Sequence, residues 1–182
     1  MAGWHVALLR GINVGRAKRV AMADLRTLVE NLGYGDVRTV LNSGNIVFTA
    51  PARIAGNAAA RIEKALPETL GISSRVMVLS AAELAAVVAG NPLLGTADSH
   101  SRLLVSVLAD GVDPQRLKPL AGKDWGEERL AVGPRVAYQW CPDGMLASPL
   151  ATAISRALGD AVTTRTWTTV TKLYTLGRET GR

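Results

Sequence analysis

Cysteine, histidine and aromatic side chains are all scarce in this chain. Its 182 residues include one cysteine, two histidines and a single phenylalanine. One cysteine, Cys141, cannot close an internal disulfide, so a reducing compartment, the cytoplasm, is expected. His5, His100 and Cys141 have no metal-ligand spacing, which implies no metal and no cofactor. No spacing suggests a Ser-His-Asp set either. Long hydrophobic runs are missing too. Nothing approaches the ~18 apolar residues of a membrane helix, and MAGWHVALLRG lacks the basic start of a secretory signal. A membrane partner is therefore not expected. Low-complexity linkers are also absent, so the chain reads as units packed together.

Basic residues, by contrast, are in excess, with a formal net charge of +6. Residues 1–50 hold six basic and three acidic side chains, residues 150–182 five and two, and residues 51–149 ten of each. All the excess lies at the two ends of the chain. Brought together by the fold, those ends would make one basic face suited to anions or nucleic acid.

Hydrophobic periodicity predicts two similar halves. WHVALLR (4–10) reads as a strand, and Met22, Leu25, Leu28, Val29 and Leu32 recur at helical spacing before Gly33. Val37, Thr39 and Leu41 share one face of a strand over 36–44, and NIVFTA (45–50) returns after a Ser43-Gly44 turn. An Ala-rich helix over 54–70 buries Ile54, Ala58, Ile62 and Leu66, and SRVMVLS (74–80) is a fourth strand. Ser80 and Glu83 form a capping box that opens a connector helix ending near Asn91-Pro92. The same element order then repeats. It runs through strand 102–108, a helix entered at Asp113-Pro114, strands near 128–132 and 134–140, helix 148–159, strand 163–167 and a last helix near 169–176. The expected fold is α+β: two ferredoxin-like β-α-β-β-α-β units with antiparallel sheets, at 1–80 and, with the connector helix, 81–182.

Three polar segments are candidate sites. In LLRGINVGR (8–16), Gly11 and Gly15 permit a sharp turn between the first strand and helix; their backbone N–H groups could face an anion beside Arg10 or Arg16, with Asn13 inside the loop. The segment matches neither nucleotide-loop fingerprint, and a plain turn with Asn13 bonded to backbone is the competing reading. Asn42, Ser43, Gly44 and Asn45 make a polar turn of a kind that often has no function. In β-α-β-β-α-β order strands one and three are antiparallel neighbours, which brings Arg10-Gly11 near Asn45. In the third segment, TTRTWTT (163–169), strand spacing would point Arg165 and Trp167 together; an exposed Trp beside an Arg suits a planar or phosphorylated ligand, and a core Trp is the equal competing reading. Thr168 would cap the last helix. Cys141 in WCPDG reads as incidental, and Asp24 and Glu30 as surface charges.

LLRGINVG (8–15), MADLR (22–26), RT…SGN (38–45) and TTRTWTTV (163–170) together resemble a bacterial family known only as a domain of unknown function, family 1697. The late segment departs from the family's TTRNWNTV, with Thr166 and Thr168 in place of asparagines, and SPL (148–150) stands where Ser-Lys-Leu is expected. The resemblance implies a two-unit α+β fold and carries no activity or cofactor.

The expected function is binding of a small anionic or nucleotide-like ligand. Arg10 and Arg165 would clamp the anion, Asn13, Ser43 and Asn45 would orient it, and Gly11, Gly15 and Trp167 would complete the site. No residue stands out as a general base or nucleophile, so no reaction follows. Weak nucleic-acid binding is the alternative, although the aromatics that RNA-recognition domains place on strands one and three are nearly absent. A non-catalytic oligomer pairing through edge strands is a third reading.

Overall fold

The structure, a computed structural model, describes residues 2–180. The chain divides into two compact units, Met1–Leu84 with Leu173–Arg182, and Ala85–Lys172. Each contains one four-stranded antiparallel sheet.

The first sheet is built from β1 (Gly3–Leu9), β2 (Gly35–Val40), β3 (Asn45–Ala50) and β4 (Val76–Ser80). Its order, β2-β3-β1-β4, is that of a ferredoxin-like unit. Helix α1 (Met22–Asn31) forms because Leu25, Leu28 and Val29 lie on one face, and all three are buried. The Ala-rich segment breaks at Gly56-Asn57 into α2 (Ala52–Ala55) and α3 (Ala58–Leu70), with Gly71 in the left-handed region as the C-cap. Ile54, Ala58, Ile62 and Leu66 join the core with Ala7, Leu9, Ile46 and Phe48 from the sheet. One expectation fails here. Leu41 lies outside β2 at φ 58° and is 57% exposed, because the strand ends at Val40 and the turn takes in residues 41–44.

The connector α4 (Ala81–Ala89) opens on the capping box: Ser80 Oγ accepts from Glu83 N at 3.2 Å, and Glu83 Oε2 accepts from Ser80 N at 2.8 Å. The second sheet follows from β5 (Leu103–Leu108), β6 (Arg129–Val132), β7 (Val136–Trp140) and β8 (Val162–Thr166), in the equivalent order β6-β7-β5-β8. Its first crossover is not the expected helix. Asp113 caps a 3-10 turn at Pro114–Leu117, and only the four residues of α5 (Lys118–Ala121) follow. Pro119 has no N–H to donate back to the preceding turn and Gly122 is the C-cap, which together disfavour one continuous helix. The second crossover is a full helix, α6 (Pro149–Leu158), capped by Ser148 Oγ accepting from Ala151 N at 2.9 Å. The last helix, α7 (Trp167–Glu179), is longer than its sequence pattern suggests and begins two residues earlier. Thr166, not Thr168, stands at its start, its Oγ1 accepting from Thr169 N at 3.3 Å.

Candidate functional site

β1 and β3 pair with Leu8 opposite Asn45, and Leu9 N donates to Gly44 O at 2.9 Å. The loop after β1 and the turn before β3 therefore lie side by side, as the topology requires. Ile12 is buried and anchors the loop. It fits only because residue 44 is glycine: a Cβ there would meet Ile12 Cδ1 and Leu9 Cβ at 2.8 Å, and the backbone sits at φ 83°. Beyond Asn13 the chain makes a small exposed hairpin, with Val14 bridged to Ala17 and Asn13 N donating to Lys18 O at 3.0 Å.

Asn13 fastens this assembly. Its Nδ2 donates to Val20 O at 2.9 Å and to Asn42 O at 2.7 Å, and its Oδ1 accepts from Val20 N at 2.8 Å. The residue adopts φ 53°, which asparagine tolerates better than most side chains. Asn45 faces inward with no exposed surface, its Nδ2 donating to Val40 O and to Ser43 Oγ, both at 2.9 Å. These two side chains hold the loops in shape. Arg10 is tied through its backbone, N to Arg75 O at 2.9 Å and O to Ser74 Oγ at 2.8 Å. Gly11 and Gly15 stand exposed in the left-handed region, at φ 67° and 59°, and shape the loop.

The open space lies on the far side of the loop. A depression of about 360 Å³ is lined by Asn13, Arg19, Val20, Ala21, Met22 and Asn42. Ala21 is the N-cap of α1, and no side chain caps that helix. The first N–H groups of an α-helix have no intrahelical acceptor, and the helix dipole adds a partial positive charge there. The depression thus combines a bare helix N-terminus with the Arg19 guanidinium, on a floor made rigid by Asn13. Asp24 brings one carboxylate to the first turn but does not line the depression. Asn42 belongs to the 42–45 turn expected near the site, whereas Arg19 was not among the expected site residues. The legible signal was a missing one: Val20-Ala21 stands where a helix start usually offers Ser, Thr, Asp or Asn.

The third candidate segment lies in the second unit. Arg165 is 8% exposed; its Nη1 donates to Thr163 Oγ1 at 2.8 Å and to Thr164 O at 3.0 Å, and burial pushes the guanidinium down to about 10. Trp167 is 3% exposed and begins α7. Trp167 is therefore the core residue of the competing reading and does not share an exposed strand face with Arg165. The strand ends at Thr166, and both side chains are buried.

Cys141 is fully buried. Burial first, and then the charge of Glu128, raise its thiol to about 11 against the lowering effect of its Ser148 hydrogen bond, which leaves an unreactive thiol. Among the described residues no group of three or more His, Cys, Asp or Glu is placed to hold a metal, and no helix is long and apolar enough to cross a membrane. The surface that an RNA-recognition domain would use is also covered in the first unit. Every residue of β3 is buried, and Trp4 packs against Tyr174 with ring centroids 6.2 Å apart.

Two ferredoxin-like units in one chain, with two interlocked loops at one end of the first sheet, define a duplicated α+β architecture. The chain belongs to the family described as Protein of unknown function (DUF1697), whose model matches residues 3–138. It is similar in fold to the conserved bacterial protein SP0830 from Streptococcus pneumoniae, with a TM-score of 0.74 and 21% identity over 97% of this chain and 99% of that one. No curated protein matches it.

Proposed function

We propose that the first unit binds a small anionic ligand, phosphate-bearing or nucleotide-like, at the depression where α1 begins. The observation that carries this reading is the uncapped N-terminus of α1 opening onto a hollow that also contains Arg19. The Met22 and Ala23 N–H groups and the Arg19 guanidinium bind the anion, and Asn13 with the Asn42 turn sets the shape of the floor. Gly11, Gly15, Arg10 and Ser43 build the surrounding loops, and Arg165 and Trp167 play no part in this site. The protein acts as a ligand-binding module without a named reaction, and its lone, buried thiol suits the cytoplasm.

Titration calorimetry with inorganic phosphate, pyrophosphate and a sugar phosphate tests the site. A charge-assisted hydrogen bond contributes roughly 1.5–3 kcal/mol, so Arg19→Ala weakens binding about 10- to 100-fold while the exposed position leaves thermal stability nearly unchanged. Ala21→Asp supplies the missing cap. It stabilises the fold by about 0.5–2 kcal/mol and expels the anion by filling its place with a carboxylate. Wild-type protein that takes up none of the three anions at millimolar concentration, or variants that bind as wild type does, would remove this reading.

A further inference from the structure

We propose that the second unit has a ligand site of its own, which takes a planar anion: an aromatic ring bearing a phosphate or carboxylate. The two units share strand order but differ in the first crossover. In the first unit this is the ten-residue α1; in the second it is a 3-10 turn and the four residues of α5. Where the crossover is shortened, a hollow of about 470 Å³ opens between the end of α5 and helix α6, lined by Lys123, Trp125, Pro149, Thr152, Ala153 and Arg156. Its size is within the range of small-molecule pockets, about 300–1,000 Å³.

The aromatic wall is held in place before any ligand arrives. Trp125 Nε1 donates to Leu120 O at 2.8 Å, and the ring packs partly buried against the core that holds Leu117, Leu120, Leu150 and Ile154. On either side of it, Asp124 Oδ1 accepts from Gly126 N at 2.9 Å and Gly126 takes φ 68°, a tight turn that fixes the direction of the ring. A rigid indole provides a stacking face at low entropic cost. Pro149 and Ala153 continue the apolar surface. The Thr152 hydroxyl donates to Ser148 O at 3.1 Å, so its oxygen remains an acceptor for a ligand donor. Lys123 and Arg156 are the charged residues of the lining, and both are exposed. Three carboxylates belong to the neighbouring turn and none lines the hollow: Asp124 holds Gly126 N, Glu128 Oε2 accepts from Leu150 N at 3.0 Å, and Glu127 is exposed. An aromatic face, an apolar floor and two cations select a flat ring with a negative substituent over a sugar, a bare phosphate or a neutral ring.

The probe is AMP, compared with adenosine and inorganic phosphate, followed by the indole N–H signals of the 15N-labelled protein. Trp125→Phe identifies the Trp125 signal. AMP is expected to shift that signal, with adenosine or phosphate alone needing at least about tenfold higher concentration. Arg156→Ala and Lys123→Ala, both at exposed positions, each weaken AMP about tenfold without moving the melting temperature, and Trp125→Leu weakens it about tenfold or more. Should Trp125→Leu fail to fold, the two cation variants decide. A Trp125 signal that stays fixed to several millimolar AMP overturns the proposal. So does equal binding of adenosine, or cation variants that titrate like wild type. An AMP shift abolished by Arg19→Ala instead of Arg156→Ala would assign the binding to the first unit and overturn it as well.

Discussion

At the scale of single residues, asparagine and glycine carry the weight that arginine first seems to have. Asn13 joins Val20 and Asn42 with three hydrogen bonds, two of them to one backbone residue. Removing it leaves Val20 N–H and two carbonyls to find other partners, at a net cost of roughly 0.5–1.5 kcal/mol per bond. Asn13→Ala should therefore lower the urea midpoint by an amount equivalent to about 1.5–4.5 kcal/mol. A ligand-only role for Asn13 predicts no such loss in the unliganded protein, so the denaturation curve alone separates the two roles. The sequence shows Asn13 only as a polar residue between two glycines. What its amide bonds to depends on Asn42, 29 positions away, and that distance is why a binding role and a fastening role looked alike.

Among elements, those with punctuation at both ends were legible. Helix α1 is bounded by its apolar stripe and Gly33, and the Ser80–Glu83 capping box marks the start of α4 by spacing alone. Replacing the cap hydroxyl, Ser80→Ala, should cost about 1 kcal/mol, read as a shift in the thermal midpoint, while Ser80→Thr should retain most of the stability. Less legible were segments whose patterns fit two structures. Residues 163–167 alternate as a strand does, but Thr166 offers a helix cap one residue before Trp167, and the cap prevails. That single boundary moved Trp167 from a supposed binding face into the interior. Residues 114–121 carry a helix entry signal that Pro119 then contradicts. In the site itself, the bare start of α1 is recognisable only once the helix boundary is known to fall at Met22.

On the scale of the whole molecule, the repeated element order was legible, because each half alternates strand and helix patterns in the same sequence. The grouping of Leu173–Arg182 with the first unit was not, since nothing local in α7 announces its neighbour. The structure shows why it belongs there. Gly177 lies directly against the six-membered ring of Trp4, where any Cβ would overlap Cε3 and Cζ3, and Tyr174 packs on the same indole while Arg178 lies over Tyr174 at 5.7 Å. Gly177→Val should force these apart at a cost of about 1–3 kcal/mol, and the Trp4 emission should shift to the red as the ring becomes wetter. Unchanged stability and emission would show that the end of α7 is not seated on Trp4.

A unit made of residues from both ends of a chain has a history as well as a geometry. Synthesis runs from the N-terminus, and domains generally fold as their residues emerge. The middle unit, Ala85–Lys172, is complete before residue 173 has been added, whereas the first unit must wait for Gly177 to cover Trp4. Of the two units, the one whose synthesis starts earlier therefore receives its last residues later, and until then a nascent chain displays an indole against which the end of α7 will pack.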